Sequence, residues 1–219
     1  QLQDVIAKAK AAAKTEAIII RVLNEEGTEV AKYDDVIGVE DTPKEGGVDP
    51  KSDFQLVRKD GKPAVYISHK DGTSPKSFGQ WSGVTPKAGA AISEHPEVSK
   101  FIEDIKSTKL VDDGKGNMVY PPGKSFARVI QDRSLVMMSI FGQDYAPQGV
   151  GGPNNCDLVA QGLFKLETED VEETPDDGEI EVVYTLTAHH LISRNDLDFT
   201  FGPGYVPTLM TRFASARRN

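Results

Sequence analysis

A chain of 219 residues, 38% hydrophobic and 27% charged, can bury a sizeable core in one medium domain and has the composition of an ordinary globular protein. No apolar run approaches the roughly 20 residues that span a bilayer, so no membrane association is expected, and a lone cysteine, Cys156, excludes an internal disulfide framework and a cysteine-rich zinc site. The net charge of −9 argues at first against a nucleic-acid partner, and the cysteine usage fits a reducing, cytoplasmic setting.

Taken from the N-terminus, Leu2 to Lys14 is rich in Ala and Lys and reads as an amphipathic helix with Leu2, Val5, Ile6 and Ala9 on its apolar side. Nothing interrupts the pattern between Lys14 and Glu26. Ala17 to Leu23 is therefore read as the buried part of the same helix, although its β-branched content also fits a strand. Asp34 to Asp49, with Gly38, Pro43, Gly46 and Gly47, reads as an irregular loop.

Pro50 to Gly72, PKSDFQLVRKDGKPAVYISHKDG, is the clearest local signal. Asp-Gly between two β-type runs predicts a hairpin, because the turn needs φ > 0 and glycine supplies it without steric cost. Side chains alternate along a strand, which puts Ser68 and Lys70 on one face and Ile67 and His69 on the other. The turn folds the start of the first run beside the end of the second. Asp53 is thereby brought to Ser68 and Lys70.

Thr73 to Thr85 follows, with Phe78, Gln80 and the lone Trp81. Pro86 and Pro96 each open a helix, the second running through Lys106. Met118 to Tyr120 is expected to be a strand or hairpin and Ser134 to Phe141 a short helix. The glycine-rich Gly149 to Asn155 lacks the P-loop Lys-Ser/Thr and any Rossmann spacing, and reads as a mobile loop. Strands are expected at Cys156 to Leu166, Ile180 to Ile192 and Tyr205 to Ala214. Between the first two lies Glu167 to Glu181, with nine acids and no Lys or Arg. The other 25 acids match the 25 basic residues, and the C-terminal end carries Arg212, Arg217 and Arg218 without an acid. Charge is segregated along this chain, so a local basic face is compatible with the negative total. The expected fold is a single α/β or α+β domain, a mixed central β-sheet flanked by helices, with a core over about residues 1–110 and a strand-rich remainder.

The Asp53, Ser68 and Lys70 hairpin resembles the core of the PD-(D/E)XK nucleases, the restriction-endonuclease-like fold. That family places an Asp at the start of one strand and acid-x-Lys at the end of the next, after a helix that supplies another acid. Here Pro50-Lys51-Ser52-Asp53 matches the first part and Ser68-His69-Lys70 the second, with Ser68 where the family has Asp or Glu. The resemblance covers about the first third of the chain. It implies a DNA endonuclease that uses Mg²⁺ or Mn²⁺ to hydrolyse a phosphodiester. Asp53 and the backbone carbonyl of His69 would hold the metal, Lys70 would orient the attacking water or stabilise developing charge, and Glu16 would supply the second carboxylate. Lys76, Gln80, Arg212 and Arg217 are the expected DNA contacts, with Ser68 facing the substrate. DNA is then the expected partner, and a homodimer stays open as an assembly.

Other readings stand beside this one. Charged hairpin ends are common on ordinary surfaces, and Phe78 and Trp81 fit a packed core better than a base-stacking role. His189 and His190 are adjacent on a strand and point to opposite faces, which suits one buried and one exposed histidine better than a shared metal. Cys156 is expected in the core. A nucleic-acid-binding or structural protein on the same scaffold is the alternative function, and a virion or assembly component is a third.

Overall fold

A computed structural model of the chain describes residues 18–74, 80–82, 84, 92, 94–168, 182–198 and 206–213. They fall into two compact units, Gln1–Ser77 with Phe141–Phe201 and Phe78–Ile140 with Gly202–Asn219.

The first unit is built from a mixed sheet. Ile18, Ile20 and Val22 are buried while the residues between them are half-buried, the period of a strand, and β1 spans Ile18–Asn24. This corrects the helix expected there. β-Branched side chains pack well on a pleated surface, and β1 lies between two strands, so its apolar face has a core to enter. β2 (Glu29–Asp41) runs antiparallel to β1 and takes in the first half of the expected loop. Its Val36 and Val39 are buried, and the register slips between Val36 and Gly38, so the glycine marks a bulge within the strand and does not end it. Beyond them come β3 (Phe54–Arg58) and β4 (Val65–Lys70), the expected hairpin, in antiparallel register with Phe54 opposite Ile67.

Farther along the chain lie β9 (Leu158–Gln161), β10 (Lys165–Thr168), β11 (Val182–Ala188) and β12 (His190–Ser193). β11 and β12 make the long strand expected at Ile180 to Ile192, interrupted at His189. Its first half pairs in parallel with β1 and antiparallel with β10, and its second half pairs antiparallel with β9. β9 in turn pairs in parallel with β4. The strand order thus returns to its start, and the sheet curls into a ring around one apolar cluster. That cluster takes Ile18, Ile20, Val36, Phe54, Leu56, Ile67, Leu158 and Leu186 from successive strands, with Phe164 from the link between β9 and β10. Burying each such side chain is worth about 1.5–3 kcal/mol, the main term holding the ring closed.

The second unit has a three-stranded sheet of β5 (Gln80–Ser82), β13 (Thr208–Arg212) and β8 (Ser125–Val129). It also has a two-stranded hairpin, β6 (Val111–Asp112) with β7 (Met118–Val119). Helix α1 (Pro96–Lys106) begins where Pro96 was expected to open it, capped by His95, whose Nδ1 accepts the Glu97 N–H. It buries Val98, Phe101, Ile102 and Ile105 at helical spacing. α2 (Arg133–Phe141) matches the expected helix. The described residues form a mixed α+β structure with two α-helices. The helix expected over Leu2 to Lys14 and the one opened by Pro86 lie outside the described residues.

Candidate functional site

The hairpin turn is built as its sequence requires. Asp60 and Gly61 both take positive φ, 56° and 67°, in the short 3₁₀ turn Lys59–Gly61. At the opposite end, the Asp53 N–H donates to the Ile67 carbonyl at 2.9 Å, locking the start of β3 against the end of β4. The Asp53 carboxylate reaches on along β4. Its Oδ2 accepts the backbone N–H of His69 at 2.5 Å and the Ser68 hydroxyl at 3.2 Å.

Alternation along β4 sends Ser68 and Lys70 one way and His69 the other, as expected. His69 points into the ring, where it stacks on Phe164 with centroids 5.8 Å apart. Its Nε2 lies 2.8 Å from the Gly162 carbonyl, an acceptor only, so that nitrogen carries the proton. Ser68 is fully buried, and its hydroxyl is committed to Asp53.

The residue that sequence reasoning passed over is Lys51. It was visible as part of the PKSD lead-in but was given no role. Its backbone N–H donates to Asn154 Oδ1 at 3.1 Å, and the Ser52 N–H donates to the Pro153 carbonyl at 2.9 Å. Ser52 is itself buried, its hydroxyl within hydrogen-bond reach of Thr42 Oγ1 and the Phe54 and Ile67 carbonyls. The lead-in is therefore held as firmly as a strand, and the Lys51 side chain starts from a fixed point. It is mostly buried beside Lys70 and Asp53. Burial, and after it the charge of Lys70, pull the Lys51 ammonium down to about 8. Cys156 is buried in the same corner, as expected, and burial pushes its thiol up to about 12. The corner thus gathers two lysines, one carboxylate, one buried hydroxyl and an unionised thiol.

The loop expected to be mobile is tied down and supports this corner. Asn155 is buried and bonds Ala146 through both ends of its amide and Val150 through its Nδ2. Buried Arg194 donates to the Gly149 carbonyl at 2.8 Å and to Asp157 Oδ1 at 2.7 Å, while Asp157 Oδ2 accepts the Tyr66 N–H at 2.8 Å.

Glu16, Lys76 and Arg217 lie outside the described residues. Gln80 pairs with Thr208 at the start of β13, and Arg212 pairs with Ser125 at its end, both in the second unit. His189 and His190 differ from the expected pair of one buried and one exposed, since both are exposed. His189 Nδ1 sits 2.5 Å from Glu25, and burial followed by the charge of His189 holds His190 below its usual value.

Among the described residues no group of three or more His, Cys, Asp or Glu could hold a metal ion. At the hairpin corner one carboxylate stands with two lysines, and one of its oxygens already serves an N–H and a hydroxyl. Of the expected metal ligands, Asp53 and His69 lie at this corner and Glu16 lies outside the described residues. No protein-family model, curated protein or solved structure matches this chain.

Proposed function

We propose that the chain binds the sugar-phosphate backbone of DNA at the corner formed by Lys51, Asp53 and Lys70. The observation that supports this most is the pairing of two lysines in one partly enclosed place. Holding two like charges together there costs free energy in the free protein, and an anion between them relieves it. A phosphodiester carries one negative charge, and its second oxygen can turn away from Asp53 toward solvent. The one phosphate neutralised there contributes roughly −0.9 to the slope of log K against log [salt] on a duplex.

Fluorescence anisotropy with a labelled oligonucleotide over a salt series tests this. Lys70→Ala is expected to weaken binding to all sequences alike and to make the slope shallower by about 1. Sequence-dependent loss, or an unchanged slope, would remove Lys70 from the phosphate contacts.

Metal-dependent hydrolysis on a restriction-endonuclease-like core is the second reading, favoured by Asp53 standing at the strand end that also bears Lys70. It requires a further carboxylate, for which Glu16 is the candidate. Plasmid nicking with Mg²⁺ or Mn²⁺ decides it. Cleavage lost in Asp53→Ala supports hydrolysis at this site, and a wild type that binds without nicking leaves binding alone.

A further inference from the structure

Charge is divided between the two units. Phe78–Ile140 with Gly202–Asn219 carries 11 Lys and Arg against 7 Asp and Glu, a net +4, while the rest of the chain carries 14 against 27. The positive unit also holds an aromatic cluster. Phe213 directly follows β13, and its backbone is pinned to the turn before β8. Its N–H donates to the Lys124 carbonyl at 3.1 Å, and its carbonyl accepts the Gly123 N–H at 2.9 Å. Strand alternation puts Phe126 of β8 on the same side, where its ring meets that of Phe213 edge to face at 5.9 Å. Tyr120, just past β7, stacks on Phe213 with centroids 4.6 Å apart and planes 18° apart. Lys124 Nζ stands 5.3 Å from the centre of the Phe126 ring.

A core encloses such rings fully, as it does Phe54, Phe101 and Phe141. Tyr120, Phe126 and Phe213 are only half-buried, and Lys124 beside them is exposed. We propose that these four residues form a stacking surface for single-stranded nucleic acid. Unpaired bases present flat π-faces that extend an aromatic stack whatever the base, and the ammonium takes the phosphate alongside. A duplex keeps those faces inside its own stack, so the surface contributes little to duplex binding. The net positive charge of the unit favours a polyanion over an apolar peptide as the occupant. The surface belongs to a different unit from the Lys51 and Lys70 corner and does not rest on the reading given for that corner.

The test compares a labelled oligothymidylate with a labelled duplex of the same length, by anisotropy with the full chain. Phe213→Leu and Tyr120→Leu keep apolar bulk but lose the π-face. Each is expected to weaken oligothymidylate binding by about tenfold and to leave duplex binding unchanged. Lys124→Ala is expected to make the salt slope on the single strand shallower by about 0.7. Ultraviolet cross-linking of the wild type to oligothymidylate, mapped by peptide mass, is expected to mark Tyr120, Phe126 or Phe213. This map decides the matter if thermal melting shows either Leu variant to be unfolded. A wild type that binds no single strand, that cross-links only elsewhere, or that binds oligothymidylate no more tightly than folded Phe213→Leu overturns the proposal. Duplex binding weakened by Lys70→Ala survives each of those results, so the two surfaces fail separately.

Discussion

At Lys51 the physics of a single side chain links stability to the candidate site. Its folded-state value lies below that of a free lysine, so between about pH 8 and the unfolded value of 10.5 the unfolded chain binds more protons, and stability rises with pH across that window. Below it, both states are protonated and the folded protein bears the full cost of burying the ammonium, with the charge of Lys70 added to it. Lys51→Met is therefore expected to be more stable than wild type at pH 7, by on the order of 1–2 kcal/mol after allowance for partial exposure, with the gap closing by pH 10. Urea midpoints of the two proteins at each pH measure it, and a gap that does not change with pH would refute the cost of the buried charge. Cys156 makes a companion case. With its thiol at about 12 and fully buried, it is expected to resist an aromatic disulfide reagent at pH 8 in the folded protein and to react at once in denaturant. Sequence alone revealed the meeting of Asp53, Ser68 and Lys70, because strand alternation and an Asp-Gly turn are local rules. It did not reveal Lys51, whose setting is made by Asn154, 103 positions away.

At the scale of elements, the hairpin and the β9–β12 ribbon use glycine for different reasons, and substitution separates them. Gly61 has φ of +67° and open space around its missing side chain, so Gly61→Ala carries only the left-handed backbone cost of about 1–2 kcal/mol. Gly162 has φ of +88°, and a Cβ there would stand 2.5 Å from the His189 Cβ where the ribbon bends. Gly162→Ala is expected to cost about 2–4 kcal/mol, because it adds overpacking to the same backbone strain. Equal shifts in the denaturation midpoints of the two variants would mean that the ribbon relaxes around the added methyl. The helix expected at Ala17 to Leu23 fails for a related reason. Its local pattern fits either state, and the choice is made by β2 and β11, one of them more than 150 residues downstream, which lie on its two sides. Helix α1 was legible because a proline at the first turn and an apolar stripe need no distant partner, and α2 because it is a short apolar run.

Over the whole molecule, long-range order and long-range charge both escape local reading, yet only the first is hidden from the sequence. Ring closure depends on Ile18 meeting Val182 in parallel, a pairing with no local signature. Charge segregation, by contrast, can be counted directly. Nine of the 34 acids sit between Glu167 and Glu181, and without them the chain is neutral. If the Lys51–Lys70 corner takes up DNA, those nine acids oppose its approach through the field of the whole protein. Replacing the nine by Asn and Gln is then expected to raise the association rate with a short duplex several-fold at low salt. The change should fade toward 0.5 M salt, where the screening length falls to about 4–5 Å, and the dissociation rate should stay nearly constant. Stopped-flow anisotropy over a salt series reads both rates. A gain that persists at high salt, or one that lies in dissociation, would mean that the acidic stretch acts at short range. Its cost to binding would then be a matter of direct competition for the lysines.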